Sequence, residues 1–228
     1  TFWADRNYWA PEVHEYNGKF YMFTTYYSSE TNHRGVAIFA ADHPGNKFVL
    51  HSAGHVTPSD WDCIDGTLYI DGDGQPWMIF VHEWTSTDDR IGRMACAKLS
   101  DDLTHFISEP VELFTARDSA WSAGNITDGC FTYTTEEGKL LMIWSNSDAY
   151  GYCVGIAESE SGLVTGPWKQ QEKTLYSKSD TGSKDGGHGM FFRDAKGNLW
   201  MAIHSPNSGS ERGVLIPVKE SNGTLVWD

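Results

Sequence analysis

An all-β chain of repeated four-stranded antiparallel sheets, the blades of a β-propeller, is what three features of this sequence predict. Short apolar or aromatic segments bounded by turn residues recur along its 228 positions, among them Lys19–Thr25, Gln75–Val81, Leu140–Trp144 and Leu199–His204. No amphipathic helix longer than two turns can be drawn. One grammar of strand, glycine turn and strand repeats four times at the period of a propeller blade.

The blades are expected near Glu12–Ser52, Asp65–Phe114, Asp128–Gln171 and His188–Trp227, in a single domain covering residues 1–228. The first strand of each starts at Glu12-Val13-His14-Glu15-Tyr16, Asp65-Gly66-Thr67-Leu68-Tyr69, Asp128-Gly129-Cys130-Phe131 or His188-Gly189-Met190-Phe191. Each runs into a turn at Gly18, Gly74, Gly138 or Gly197, in steps of 56, 64 and 59 residues. A second strand follows the turn. A third starts near Gly35, Gly92, Gly151 or Gly213, and a shorter fourth lies at Lys47–His51, Pro110–Phe114, Pro167–Gln171 and Leu225–Trp227.

In a propeller the first strand of each blade lines the central axis. Glu12, Asp65, Asp128 and His188 are therefore expected around one mouth of the channel. The ends of the second strands return there with His82-Glu83-Trp84, Asn146-Ser147 and Ser205. Acids crowded in this way cannot all ionise cheaply, so one of them holds a proton near neutral pH. Trp9, Trp61, Trp84, Trp121 and Trp144 fall near the same mouth, where an indole can stack on the C–H face of a sugar or pack between blades. Trp77 and Trp200 lie mid-strand and read as core. Arg212 opens a third strand, at the surface or within reach of a sugar hydroxyl. His188 reads as a core histidine, a ligand for an axial cation or a catalytic group.

Composition narrows the function. Seventeen Lys and Arg against 31 Asp and Glu give a net charge of −14, which disfavours a nucleic-acid partner. No apolar run reaches 18 residues, so no membrane-spanning helix is expected. Cys63, Cys96, Cys130 and Cys153 form no CxxC pair and read as buried free thiols. Asp71-Gly72-Asp73-Gly74 resembles half a calcium loop without its distal glutamate and reads as a hairpin turn. The chain starts at Thr1, with neither Met nor a signal-peptide pattern, and is expected to be processed or part of something longer.

Four motifs in order, Trp9-Ala10-Pro11-Glu12, Ile64-Asp65-Gly66-Thr67-Leu68-Tyr69, Thr127-Asp128-Gly129 and Gly186-Gly187-His188-Gly189-Met190, resemble glycoside hydrolase family 43 over about Phe2 to Val218. The resemblance implies a five-bladed β-propeller and an inverting glycosidase of the α-L-arabinofuranosidase or β-xylosidase kind, acting on oligo- or polysaccharides. It implies three axial acids: a base Asp from the first blade, a second Asp that tunes and orients the acid, and a general acid that is usually Glu. Asp65 matches the second Asp and Asp128 the general acid, while His188 matches a histidine that in many members sits by a bound calcium or water. No cofactor is required, with calcium at the axis the one ion implied.

Two departures from the pattern stand out. Four blades are present and the base-bearing first blade is not, so a partner chain, self-association or a longer parent is expected to cover the gap. Position 128 is Asp, one methylene shorter than Glu, so Glu83 or Glu12 is an alternative proton donor. The competing readings are a non-catalytic carbohydrate-binding propeller or inactive fragment, and a protein-interaction propeller of the WD-repeat kind. Against the last, Trp-Asp is absent from the ends of the third strands. Compartment is not fixed by the cysteines, with a secreted or periplasmic location favoured.

Overall fold

β-Branched and aromatic residues between glycine turns build sixteen strands in the computed structural model, which describes residues 4–227. The first sheet holds β1 (Arg6–Tyr16), β2 (Lys19–Ser28), β3 (His33–Ala41) and β4 (Val49–His55). The second holds β5 (Cys63–Ile70), β6 (Pro76–His82), β7 (Arg93–Lys98) and β8 (Val111–Thr115). The third holds β9 (Asp128–Thr134), β10 (Leu140–Asp148), β11 (Gly151–Ser159) and β12 (Trp168–Gln170). After a four-residue helix, α1 (Lys178–Thr181), the fourth holds β13 (Gly187–Arg193), β14 (Leu199–Ser205), β15 (Arg212–Ser221) and β16 (Thr224–Trp227). Each sheet is an antiparallel meander in chain order, the blade of a β-propeller. The chain divides into two compact units, Thr1–Glu112 and Leu113–Asp228.

Two of the hairpins share one construction. Asp71 takes the N–H groups of Asp73 and Gln75 on Oδ1 and the indole N–H of Trp77 on Oδ2. Asp194 does the same with Lys196, Asn198 and Trp200. Gly74 and Gly197 take φ of 83° and 84° in these turns, which a residue with a Cβ adopts at a cost. The Asp71 loop is thus a hairpin turn, and Trp77 is buried as expected, whereas Trp200 is only half-buried. The core of the first unit is built on Phe23, Ile38, Met78 and Phe80 and that of the second on Leu141, Ile143, Val154 and Met201. All four cysteines are free and buried.

The first strand of every blade carries a β-bulge at one register. Trp9 pairs with Thr25 and Glu12 with Phe23; Ile64 pairs with Val81 and Thr67 with Ile79. Asp128 pairs with Ser145 and Phe131 with Ile143; Gly187 pairs with His204 and Met190 with Ala202. At this register each first strand spends one residue more than its partner, and β1 carries a second such shift between Arg6 and Trp9. The residue that begins each bulge, Ala10, Asp65, Gly129 or His188, has φ between 38° and 55°.

This corrects the expected register. Asp65 and His188 share the bulge position, but Asp128 stands one residue before it and Glu12 two after. Glu12 does not open its strand either, because β1 starts six residues earlier, at Arg6. The sequence repeat aligned polar residue types, and an inserted bulge residue leaves no mark in that pattern.

Candidate active site

In the first unit the bulge of β5 presents Asp65, 8% exposed, with its backbone N–H donated to the hydroxyl of Thr25 at 3.1 Å. A charged network stands near it. The Arg34 guanidinium, just ahead of Gly35 on β3, donates through Nε to Glu83 Oε2 and through Nη2 to the Thr85 hydroxyl at 3.0 Å. Nη2 also lies 3.2 Å from Asp62 Oδ2. Asp62 accepts from the Thr85 hydroxyl at 2.6 Å and the Arg34 backbone N–H at 3.0 Å. The Glu83 N–H donates to the Asp62 carbonyl at 2.8 Å, which ties the end of β6 to the entry of β5. Trp9, 43% exposed, has the Arg34 guanidinium 5.7 Å from its ring centroid.

The two carboxylates on Arg34 respond in opposite directions. Burial raises the Glu83 carboxyl above its ordinary value, the Arg34 bond and charge oppose this, and the charges of Asp62 and Asp65 add to it. Burial also works to raise Asp62, but the bonds from Thr85 and the Arg34 N–H, with the Arg34 charge, outweigh it and hold Asp62 low. Asp65, Glu83 and Trp9 are therefore brought into one neighbourhood. Glu12 faces elsewhere: its carboxylate pairs with His14 and accepts the Thr67 hydroxyl at 2.5 Å, locking β1 to β5.

In the second unit Asp128 opens β9, and its Oδ2 accepts the Tyr152 hydroxyl at 2.9 Å. Tyr152 stacks on His204, centroids 5.4 Å apart. The next bulge packs directly against this one: a Cβ at Gly129 would lie 2.6 Å from the Cα of His188. The His188 N–H donates to Ser145 Oγ at 2.9 Å, and Ser145 is the cross-strand partner of Asp128.

The remaining expected residues spread out. Trp61 has one face taken by His82, at 3.9 Å and 5°. Trp84 is 39% exposed, with Arg90 5.7 Å from its ring centroid. Trp144 is fully buried and donates Nε1–H to Gln170, so it is a core residue beyond the reach of a sugar. β10 runs on to Asp148, which leaves position 144 mid-strand. Arg212 opens β15 at the surface and donates to the Glu211 carbonyl. Among the described residues no group of three or more His, Cys, Asp or Glu side chains stands together to hold a metal. His188 offers a nitrogen where calcium takes about six to eight oxygens, so its imidazole alone is not a calcium ligand set.

Arg34, Asp62, Thr85 and Tyr152 escaped the sequence reading. Two of them had a signal: Arg34 and Tyr152 flank Gly35 and Gly151, the glycines that mark third-strand openings. Asp62 and Thr85 lie in connections with no periodicity to flag them.

Comparison with known proteins follows the same lines. The model of the glycosyl hydrolases family 43 matches residues 1–218. An extracellular exo-α-(1→5)-L-arabinofuranosidase of Cellvibrio japonicus is 24% identical over 215 residues, 87% of this chain and 58% of that protein. An extracellular endo-α-(1→5)-L-arabinanase of Bacillus subtilis is 29% identical over 86 residues, 35% of this chain and 26% of that protein. The chain thus spans less than two thirds of either curated relative. A solved endo-arabinase of Bacteroides thetaiotaomicron superposes with a TM-score of 0.88 at 40% identity, covering 97% of this chain and 78% of that one. A solved endo-1,4-β-xylanase of the same organism gives 0.80 at 26%, covering 100% and 77%.

Proposed function

Because the chain belongs to glycosyl hydrolase family 43, we propose that it is the larger part of an inverting glycosidase acting on arabinofuranosyl linkages, with Asp65 and Asp128 as working carboxylates. The observation that carries this reading is the β5 bulge. A carboxylate is held in a left-handed backbone conformation, almost out of water, beside Glu83 and the Arg34 network. The same bulge recurs in all four blades, so what sets this one apart is the carboxylate it carries, within reach of the Glu83 charge. Arabinose-type substrates are favoured over xylose-type ones because both curated relatives and the 40%-identical structure are named for arabinan chemistry.

Inversion needs one protonated carboxyl at the glycosidic oxygen and one carboxylate that activates water, roughly 6.5–9.5 Å apart. In this reading Asp128 is the proton donor. The Tyr152 hydroxyl already donates to Oδ2, so a proton on this carboxyl resides on Oδ1. Asp65 is assigned as the second working carboxylate, and within its own unit its charge acts on Glu83. Glu83 is the alternative donor, raised by burial but held by Arg34. Among the described residues no carboxylate is assigned as the base. The partner is a polysaccharide met outside the cytoplasm, in line with the extracellular names of the curated relatives.

The test is hydrolysis of linear arabinan and an aryl α-L-arabinofuranoside by the full-length protein, with the first-formed anomer read by NMR. Release of the inverted anomer is expected. A retained anomer, or cleavage of xylosides alone, would overturn the mechanism or the sugar respectively.

A further inference from the structure

The second unit carries a cleft of about 630 Å³ whose lining does not include Asp128, within the range of roughly 300–1,000 Å³ typical of ligand sites. Its walls include three aromatic rings from three segments: Trp121 from the connection before β9, Tyr150 from the β10–β11 turn and Trp227 from β16. Tyr150 is 65% exposed and Trp227 38%. Buried Leu175 and Leu225 complete the apolar lining.

One of the rings is fixed in place, and the turn that carries a second is closed. The Trp121 indole occupies the space a side chain at Gly155 would fill, since a Cβ there would lie 2.0 Å from its Cζ2, and its other neighbour is Trp144 at 4.6 Å. Tyr150 rides on a turn that Asp148 Oδ1 closes by accepting the N–H groups of Tyr150 and Gly151. A preset indole binds without the cost of ordering its own side chain. The rim carries Asp148, Asp180 and Glu172 against Lys173 alone, so it repels anions while offering acceptors to hydroxyl groups.

We propose that this cleft is an accessory binding site for a neutral polysaccharide chain, with the Tyr150 and Trp227 rings as stacking platforms and with Asp128 outside its lining. The choice of a polysaccharide rests on the family reading above. The chemistry of the cleft adds that the chain is uncharged.

The experiment measures binding alone, by affinity electrophoresis of the full-length protein through gels containing linear arabinan, xylan or polygalacturonate. It therefore reads the site whether or not the protein cleaves arabinan. Retardation by neutral polymer is expected to weaken about three- to tenfold for Tyr150→Ala and again for Trp227→Ala, and to persist in Tyr150→Phe, at the value of one aromatic contact. An unchanged melting temperature certifies the fold. Should Trp227→Ala unfold, the exposed Tyr150 decides the matter by itself. Retardation unchanged in Tyr150→Ala, or seen only with polygalacturonate, would overturn the proposal.

Discussion

Asp62 shows how one side chain sets the state of its neighbours. It accepts from Thr85, the Arg34 N–H and the Arg34 guanidinium, and it is held below the ordinary aspartate range. Its stabilisation is therefore complete above that range and is lost as pH falls through the lowered value. Asp62→Asn should cost about 1.5–3 kcal/mol at neutral pH. The deficit should shrink below about pH 4, as read by urea denaturation across the acid limb. Glu83 behaves with the opposite sign: its raised carboxyl favours the folded state while protonated, and that advantage is lost as pH rises through the raised value. At this scale the sequence was legible for residue type and strand end, which placed Asp65 and Glu83 together. It misled at Trp144, because an indole near a strand end reads the same whether it points to solvent or to the core.

The hairpins were legible because the turn glycines Gly18, Gly74, Gly138 and Gly197 recur at the spacing of a blade. The bulges were not, because a bulge adds a residue without a composition of its own: Ala10, Asp65, Gly129 and His188 share a conformation and no chemistry. Gly129 is the position where the bulge constrains sequence most. Its φ is 53°, and a Cβ would press on the His188 backbone, which cannot swing aside. Gly129→Ala should lose about 2–4 kcal/mol through the left-handed conformation and the overlap together. Gly72→Ala, in open space on an unstrained backbone, should stay within about 0.5 kcal/mol. Guanidinium denaturation of the two variants makes the comparison, and equal losses would mean that the β9 and β13 bulges do not lock each other.

The whole molecule follows from the repeat: four meanders at a period of about 60 residues, few helical residues and buried thiols were all readable from spacing and composition. The carboxylate that donates the proton was not, since a repeat says which strand a residue opens and not which oxygen it offers. Asp65→Asn in the full-length protein should lower turnover of an aryl arabinofuranoside, because it removes one of the two carboxylates assigned to the reaction. The central claim, that Asp128 is that donor, meets its most direct measurement in kcat/KM across aryl arabinofuranosides of graded leaving-group acidity, for Asp128→Asn and Glu83→Gln. The account predicts that Asp128→Asn abolishes turnover of poor leaving groups and spares good ones, with Glu83→Gln flat across the series. A leaving-group-dependent loss in Glu83→Gln and none in Asp128→Asn would contradict it.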